Sequence, residues 1–491
     1  MVKKIFINGE KVNSSSSETL KIFNPSKAEI IDEVPNCNFE DVDKAVKSAK
    51  NAQKNWAKVP GVEKATLMKN IATKLRNNTK ELANLLTLET GKPLIESYDC
   101  IDWIAACFDY YAEYSRSSRG HSLPPVARHQ VNFTIKEPYG VVVCIAPFNF
   151  PLLLMVWKIA PAIAAGNTVV CKPPHQNPLS NLLMAECFDE LPPGVINYVT
   201  GNSKTGEILI NHKDVDMIAF TGSTNVGRHI AETAGKHLKK INLEMGGIDP
   251  LLVFEDANLD IAVKGAVWAR LLNAGQVCTS AKRIYVVEEI ADEFENRVIE
   301  YVKTIKVGDP FNPNTDVGPL ISLEALEKIE NQVKRLHQEG ANLRLGGKRV
   351  SPDNLKGYYF QPTVFTNVKH GGIATTEEIF GPVINIIRAK NADEMIEMAN
   401  DSEYGLGASI FTNNLYYTMK AMEEIKAGTF WVNDPLSDND AGPFGGMRLS
   451  GIGRELGEDG LNAFRETKHV HIDYVMENKY YWFPYSERKI H

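Results

Sequence analysis

Apolar side chains recur at helical spacing along residues 38–59. Val42, Ala45, Val46, Ala49, Ala52 and Trp56 share one face with lysines and aspartates opposite, which predicts an amphipathic helix. Helical periodicity resumes at Glu63 and runs to about Ser117. The alternation His129-Gln130-Val131-Asn132-Phe133-Thr134-Ile135 then predicts a strand or hairpin arm. From residue 141 the rhythm changes to short apolar runs at 141–145, 168–171, 195–199, 217–221 and 251–254, with helical periodicity over 152–165 and 179–190 between them. Strands apolar on both faces and separated by helices imply a parallel sheet covered on both sides. Ligands of such sheets bind beyond the carboxyl ends of the strands. A second α/β series from about 256 to 432 has strands near 283–287, 383–388 and 408–412 and helices near 290–305 and 392–399. The expected fold class is α/β, with two parallel-sheet lobes. Tyr480-Tyr481-Trp482-Phe483-Pro484-Tyr485 is too aromatic to be left in water, so it is expected to pack on the body or on a neighbouring subunit.

A chain of 491 residues exceeds one ordinary core, which fits two lobes. A net charge of −7 against 54 Lys and Arg leaves no basic excess, so nucleic acid is not expected as a partner. No apolar stretch approaches the roughly 18 residues of a membrane span. The apolar run before Gly9 is too brief for a secretory signal, and a cytoplasmic protein is expected. The seven cysteines suggest no disulfide framework, and neither a C-x-x-C pair nor a His/Cys cluster with metal-site spacing occurs, so no metal is expected. Cys107, Cys144 and Cys171 sit in apolar runs and read as small buried hydrophobes.

Cys278 is different. It lies in Asn273-Ala274-Gly275-Gln276-Val277-Cys278-Thr279-Ser280, among small and polar residues that let backbone or substrate approach. It reads as an accessible nucleophile or as an incidental loop cysteine. Glu244, in Asn242-Leu243-Glu244-Met245-Gly246-Gly247, is a carboxylate able to take a proton from water, or a helix cap or surface acid. Asn149, boxed in Pro147-Phe148-Asn149-Phe150-Pro151, can donate to a developing oxyanion or merely close a turn. Phe220-Thr221-Gly222-Ser223-Thr224-Asn225-Val226-Gly227 is a glycine-rich strand-to-helix turn suited to phosphate, though not a G-x-G-x-x-G fingerprint. Lys172-Pro173-Pro174 offers a cation near the same sheet edge.

Together these segments resemble the aldehyde dehydrogenase superfamily over nearly the whole chain. Phe148-Asn149, Lys172-Pro173, Gly222 to Gly227, Glu244-Met245-Gly246-Gly247, Gly275-Gln276-Val277-Cys278, Glu377-Glu378-Ile379-Phe380-Gly381-Pro382 and Pro443-Phe444-Gly445-Gly446 follow the family's order and approximate spacing. The resemblance implies that Cys278 attacks the aldehyde, Asn149 and the Cys278 N–H hold the oxyanion, and Glu244 activates water to hydrolyse the thioester to a free acid. It implies a nicotinamide cofactor, with Lys172 on the adenine-side ribose, Ser223 on the diphosphate within the Gly222–Gly227 turn, Glu378 on the nicotinamide-side ribose and Phe380 beside the ring. Phe150, Leu153, Leu154 and Trp157 match the substrate-tunnel wall, whose apolar lining favours a small to medium, uncharged or weakly polar aldehyde. The implied division is a cofactor-binding domain from 1–118 and 139–246 and a catalytic domain at 247–461. An oligomerisation arm with the C-terminal tail comes from 119–138 and 462–491. The arm implies a homo-oligomer, a dimer or tetramer.

Two positions depart from the family pattern. NAD-preferring members often carry a glutamate three residues after the lysine matching Lys172, where this chain has His175. A carboxylate would repel a 2′-phosphate and an imidazole would not, so NADP is expected to be accepted and preferred over NAD. Ile248 stands where a lysine is common, and no physical account of it follows from the sequence. The competing readings are a CoA-acylating relative, disfavoured by the acid at Glu244, a cysteine thiol esterase, for which the cofactor segments have no purpose, and an inactive binding protein.

Overall fold

A computed structural model describes residues 2–117 and 119–487; Ser118 and residues 488–491, which belong to the expected domain boundary and tail, lie outside the described residues. The first amphipathic pattern is the helix Phe39–Trp56, capped by Asn38, whose side chain accepts from the Asp41 N–H while the Asp41 carboxylate accepts from the Asn38 N–H. Its apolar stripe, Val42, Ala45, Val46, Ala49 and Trp56, is buried. The long helical stretch after Glu63 is three helices, Gly61–Asn77, Thr79–Thr90 and Leu94–Tyr114. Gly91, in the left-handed region at φ 78°, ends the second, and Pro93 precedes the third. Periodicity alone does not mark such breaks.

The apolar runs form the core of an eight-stranded sheet. Its order is Glu10–Val12, Ile5–Ile7, Ile196–Tyr198, Thr168–Lys172, Val141–Ile145, Met217–Thr221, Lys240–Glu244, Gly451–Ile452. The five central strands are parallel. Val141 and Val143 belong to one core cluster, and Val142 and Cys144 to the cluster on the opposite face. Burial on both faces is why these strands are continuously apolar rather than alternating. A seven-stranded sheet follows, in the order Asn342–Leu345, Thr363–Thr366, Val383–Ala389, Arg283–Val287, Pro250–Val253, Gly407–Phe411, Thr429–Val432. All its pairings are parallel except that of the first strand. Gly451–Ile452, from the far end of the chain, pairs with the Glu244 strand and so crosses into the first sheet.

The alternating segment at 129–135 is part of the strand Gln130–Pro138, paired antiparallel with Arg465–Asp473 and with Ser122–Leu123. Hairpin strands Thr19–Asn24 and Glu29–Pro35 were not foreseen from their sequence. Of the two expectations for the aromatic tail, packing on the body is corrected. Tyr480, Trp482 and Phe483 are 79%, 54% and 80% exposed. The rings meet one another instead, with Phe483 and Tyr485 centroids 4.4 Å apart.

Candidate active site

Strand register brings the sequence-picked residues to one edge of the first sheet. Ile145, just before the Asn149 turn, is level with Lys172 and Phe220, and Thr221 is level with Glu244. The chain winds outward in opposite directions from Val141–Ile145 and Met217–Thr221, so the edge between them is a topological switch point. Cys278 comes from the other sheet, on the loop leading into Arg283–Val287.

That loop is held in a strained form. Asn273 and Ala274 have φ of 49° and 56°, a left-handed pair without glycine, followed by Gly275 at φ 74°. A side chain on Gly275 would strike the main chain of Gly381, its Cβ 2.3 Å from the carbonyl oxygen. The glycine therefore serves close packing against the Glu378–Pro382 segment. Buried Arg270 ties the two segments together, donating to the carbonyls of Gly275 (3.2 Å), Val383 (2.7 Å) and Ile379 (2.6 Å) and to Ser280 Oγ (2.8 Å).

Asn149 is buried against the same loop: its Nδ2 donates to Gln276 O at 2.9 Å, and its own carbonyl accepts from Asn273 Nδ2 at 3.0 Å. The oxyanion candidate and the thiol are thus joined through Gln276, two residues before Cys278. One amide proton of Asn149 is used, leaving the second for a ligand. Half-buried Cys278 lines a 290 Å³ cavity with Phe150, Leu153, Leu154 and Trp157, the four sequence-picked wall residues. Burial pushes the thiol up to about 12, partly offset by the charge of Lys282. Phe444 closes the wall, its ring 5.0 Å from that of Trp157. The same lining includes Asp434, Asp438 and Asp440, which no sequence pattern located there. Burial pushes the Asp438 carboxyl up to about 7.

Glu244 is buried at the end of its strand, cradled by Pro443-Phe444-Gly445-Gly446: Gly446 N–H donates to Oε2 at 3.2 Å, and a Cβ on Gly445 would lie 2.5 Å from Oε1. Among the described residues no hydrogen bond links Glu244 to Cys278. Burial, then the neighbouring Glu455 charge, raises the Glu244 carboxyl well above its usual range. Lys158 opposes this; it is fully buried and bonds Glu455 Oε1 (2.6 Å), Thr221 Oγ1 (2.5 Å) and Leu154 O (3.1 Å). A lysine inside the otherwise apolar 152–165 helix was the overlooked signal, because such a charge is seldom buried without a partner.

Ser223 begins the helix Thr224–His237 with no side-chain bond to it, leaving its hydroxyl and the first-turn N–H groups for a phosphate. Gly222 and Gly227 are explained by packing: a Cβ on Gly222 would meet the Phe220 ring at 2.4 Å, and one on Gly227 the Met245 sulfur at 2.2 Å. Buried Lys172 has a single hydrogen bond among the described residues, to Pro173 O at 3.3 Å, and burial lowers its amine to about 8. Desolvation, then the Lys172 charge, lowers the His175 imidazole. Glu378 lies against Gly246, where a Cβ would come 2.7 Å from Oε2, and Oε1 pairs with Lys282 at 3.1 Å. The Phe380 and Phe148 rings meet edge-on at 5.9 Å, joining this segment to the Asn149 turn. Ile248 is buried and its carbonyl accepts from Arg283 Nε at 2.6 Å. A helix end with free N–H groups and a lysine with a single hydrogen bond among the described residues both lie near one edge of the first sheet. With a carboxylate against Gly246, just beyond the Glu244 strand, these are the groups a dinucleotide requires. No cluster able to hold a metal ion occurs among the described residues, and no helix there is long and apolar enough to cross a membrane.

The family model described as "Aldehyde dehydrogenase family" matches residues 12–470. Human retinal dehydrogenase 2 is 41% identical over 483 residues, covering 97% of this chain and 92% of that protein. D-glyceraldehyde dehydrogenase (NADP(+)) of Picrophilus torridus is 38% identical over 480 residues, covering 97% of each. A crystal structure of Staphylococcus aureus betaine aldehyde dehydrogenase with NAD+ superposes with a TM-score of 0.95 at 36% identity, covering 98% of this chain and 97% of that one.

Proposed function

Because the chain belongs to the aldehyde dehydrogenase family and is an NAD(P)-dependent enzyme oxidising aldehydes to acids, we propose that Cys278, Asn149 and Glu244 carry its chemistry. Cys278 Sγ adds to the aldehyde carbon at the cavity floor. The free Asn149 amide proton and the Cys278 N–H stabilise the resulting oxyanion. The nicotinamide, when bound, supplies the acceptor for the hydride the carbon loses. The carbon is left as a thioester on Cys278. Glu244, with its carboxyl raised by burial, takes a proton from the water that hydrolyses it. The observation that carries this reading is the cavity in which Cys278 meets all four wall residues, with Asn149 bonded to its loop. Cys278→Ser tests it: loss of both reduction of NAD(P)+ and labelling by iodoacetamide is expected, and retained oxidation sinks it.

In this reading Lys172 and Ser223 hold the adenosine ribose and diphosphate, and Glu378 and Phe380 the nicotinamide side. The lobe division and arm follow the boundaries given above, apart from 488–491. The arm and the exposed aromatic tail support a homo-oligomer, dimer or tetramer. NADP is accepted and preferred, supported by an imidazole instead of a carboxylate at His175. A ratio of kcat/KM favouring NAD tenfold or more would overturn that.

One observation favours a second reading of the substrate. The apolar wall that suggested an uncharged aldehyde is not the whole lining; Asp434, Asp438 and Asp440 also line the cavity and form no ion pair among the described residues. A chain with an apolar stem and a cationic or hydrogen-bonding group suits such a mixed lining. A panel of neutral and amino aldehydes separates the two readings.

A further inference from the structure

Lys282 stands between the two halves of the site and is used by neither. It is 1% exposed and heads the strand Arg283–Val287. Its Nζ donates to the carbonyls of Val277 (2.9 Å) and Cys278 and pairs with Glu378 Oε1 at 3.1 Å. The Phe380 ring centroid is 5.8 Å away. Its own N–H donates to Asp249 O at 3.1 Å, so its main chain is fixed as well. One ammonium group therefore touches the nucleophile's backbone and the carboxylate assigned to the nicotinamide-side ribose.

The charges around the Cys278 thiol are unequal. Burial opposes its ionisation most. Of the neighbouring charges Lys282 favours it, while Glu378 opposes it, as do Asp249 and Asp438 where they are ionised, burial pushing those two carboxyls up to about 8 and about 7. Asp249 is buried, with Gly247 and Gly407 close against its carboxyl, so it has little freedom to move. Glu378 is different: its side chain is 27% exposed and pairs with Lys282. While that pair stands, the lysine charge is compensated. When the carboxylate turns to other hydrogen bonds, the same charge is left facing the Cys278 loop.

We propose that Lys282 is a positioning residue that stabilises the Cys278 thiolate, and that Glu378 gates this effect by pairing with it. Capture of a ribose by Glu378 would then raise thiol reactivity as the cofactor docks. The proposal rests on the roles assigned above to Cys278 and Glu378.

The test is the pH profile of Cys278 alkylation by iodoacetamide in the cofactor-free full-length enzyme, with the modified residue identified by mass spectrometry. Glu378→Gln keeps Lys282 in place and removes its partner. Its profile is expected to move to lower pH, giving alkylation about tenfold faster at neutral pH. Lys282→Met is expected to move the profile to higher pH by a similar factor, and Glu378→Gln added to it is expected to recover only part of that change. Circular dichroism checks that Lys282→Met folds; if it does not, Glu378→Gln alone decides. Profiles superimposable on wild type in Glu378→Gln overturn the proposal. Dinucleotide affinity of Glu378→Gln, measured by quenching of protein fluorescence, keeps the underlying reading separate: an unchanged Kd rejects the ribose role of Glu378 even where the alkylation profile shifts.

Discussion

Gly446 donates its N–H to Glu244 Oε2 at 3.2 Å, and the proposed general base, whose Oε1 has no hydrogen-bond partner among the described residues, makes no hydrogen bond to the thiol it must serve.

Replacing that carboxylate separates the two halves of the reaction. In Glu244→Gln, acylation should persist and deacylation should slow by a factor of about 10² to 10⁴, the usual worth of a general base. Rapid mixing would then show one equivalent of reduced cofactor per site, followed by a nearly flat steady state. Loss of the burst together with the steady state would place Glu244 in acylation instead.

Asn149→Ala removes the proposed oxyanion donor and the bond to Gln276 O. The expected loss in kcat is about 10² to 10³. Iodoacetamide labelling of Cys278 should continue, because alkylation develops no oxyanion. A kcat within threefold of wild type removes Asn149 from the mechanism.

Lys158 and Glu455 are 0% and 1% exposed, so each depends on the other. Lys158→Met strands a buried carboxylate and should cost about 3–5 kcal/mol by denaturant unfolding. Lys158→Met with Glu455→Leu should recover most of it. A single variant as stable as wild type would show that the pair contributes nothing.

Glu96 gives a stability effect with a defined sign. Burial pushes its carboxyl up to about 7, with Lys92 offsetting part of the rise. Unfolded, it titrates at about 4.3. Between these values the folded chain keeps a proton that the unfolded chain has lost. The associated stability is present at low pH and drains away as pH rises through about 7. Glu96→Gln lacks this slope, so its unfolding free energy should gain on wild type by up to about 3–4 kcal/mol between about pH 4.5 and pH 8, seen as a relative rise in Tm. Parallel Tm–pH curves would show that Glu96 does not titrate in this range.

Much of this protein was legible in one dimension. Runs such as 141–145 and 217–221 are apolar at every position, and only burial on both faces of a parallel sheet requires that, so the α/β class could be read directly. Cys278, Asn149 and Glu244 were each ambiguous within their own segments, and the resemblance to the aldehyde dehydrogenase superfamily singled them out. Helix breaks at Asn78 and Gly91 escaped because periodicity continues across them. What only the tertiary structure decided are the partners of charges far apart in sequence. Lys158 meets Glu455, Lys282 meets Glu378, Arg270 clamps the loops at Gly275 and Ile379, and Asp434, Asp438 and Asp440 turn into the cavity. Sequence spacing carries the periodicity of an element, but a buried charge is stabilised by whichever group the folded chain brings within a few ångströms, and no local pattern records that.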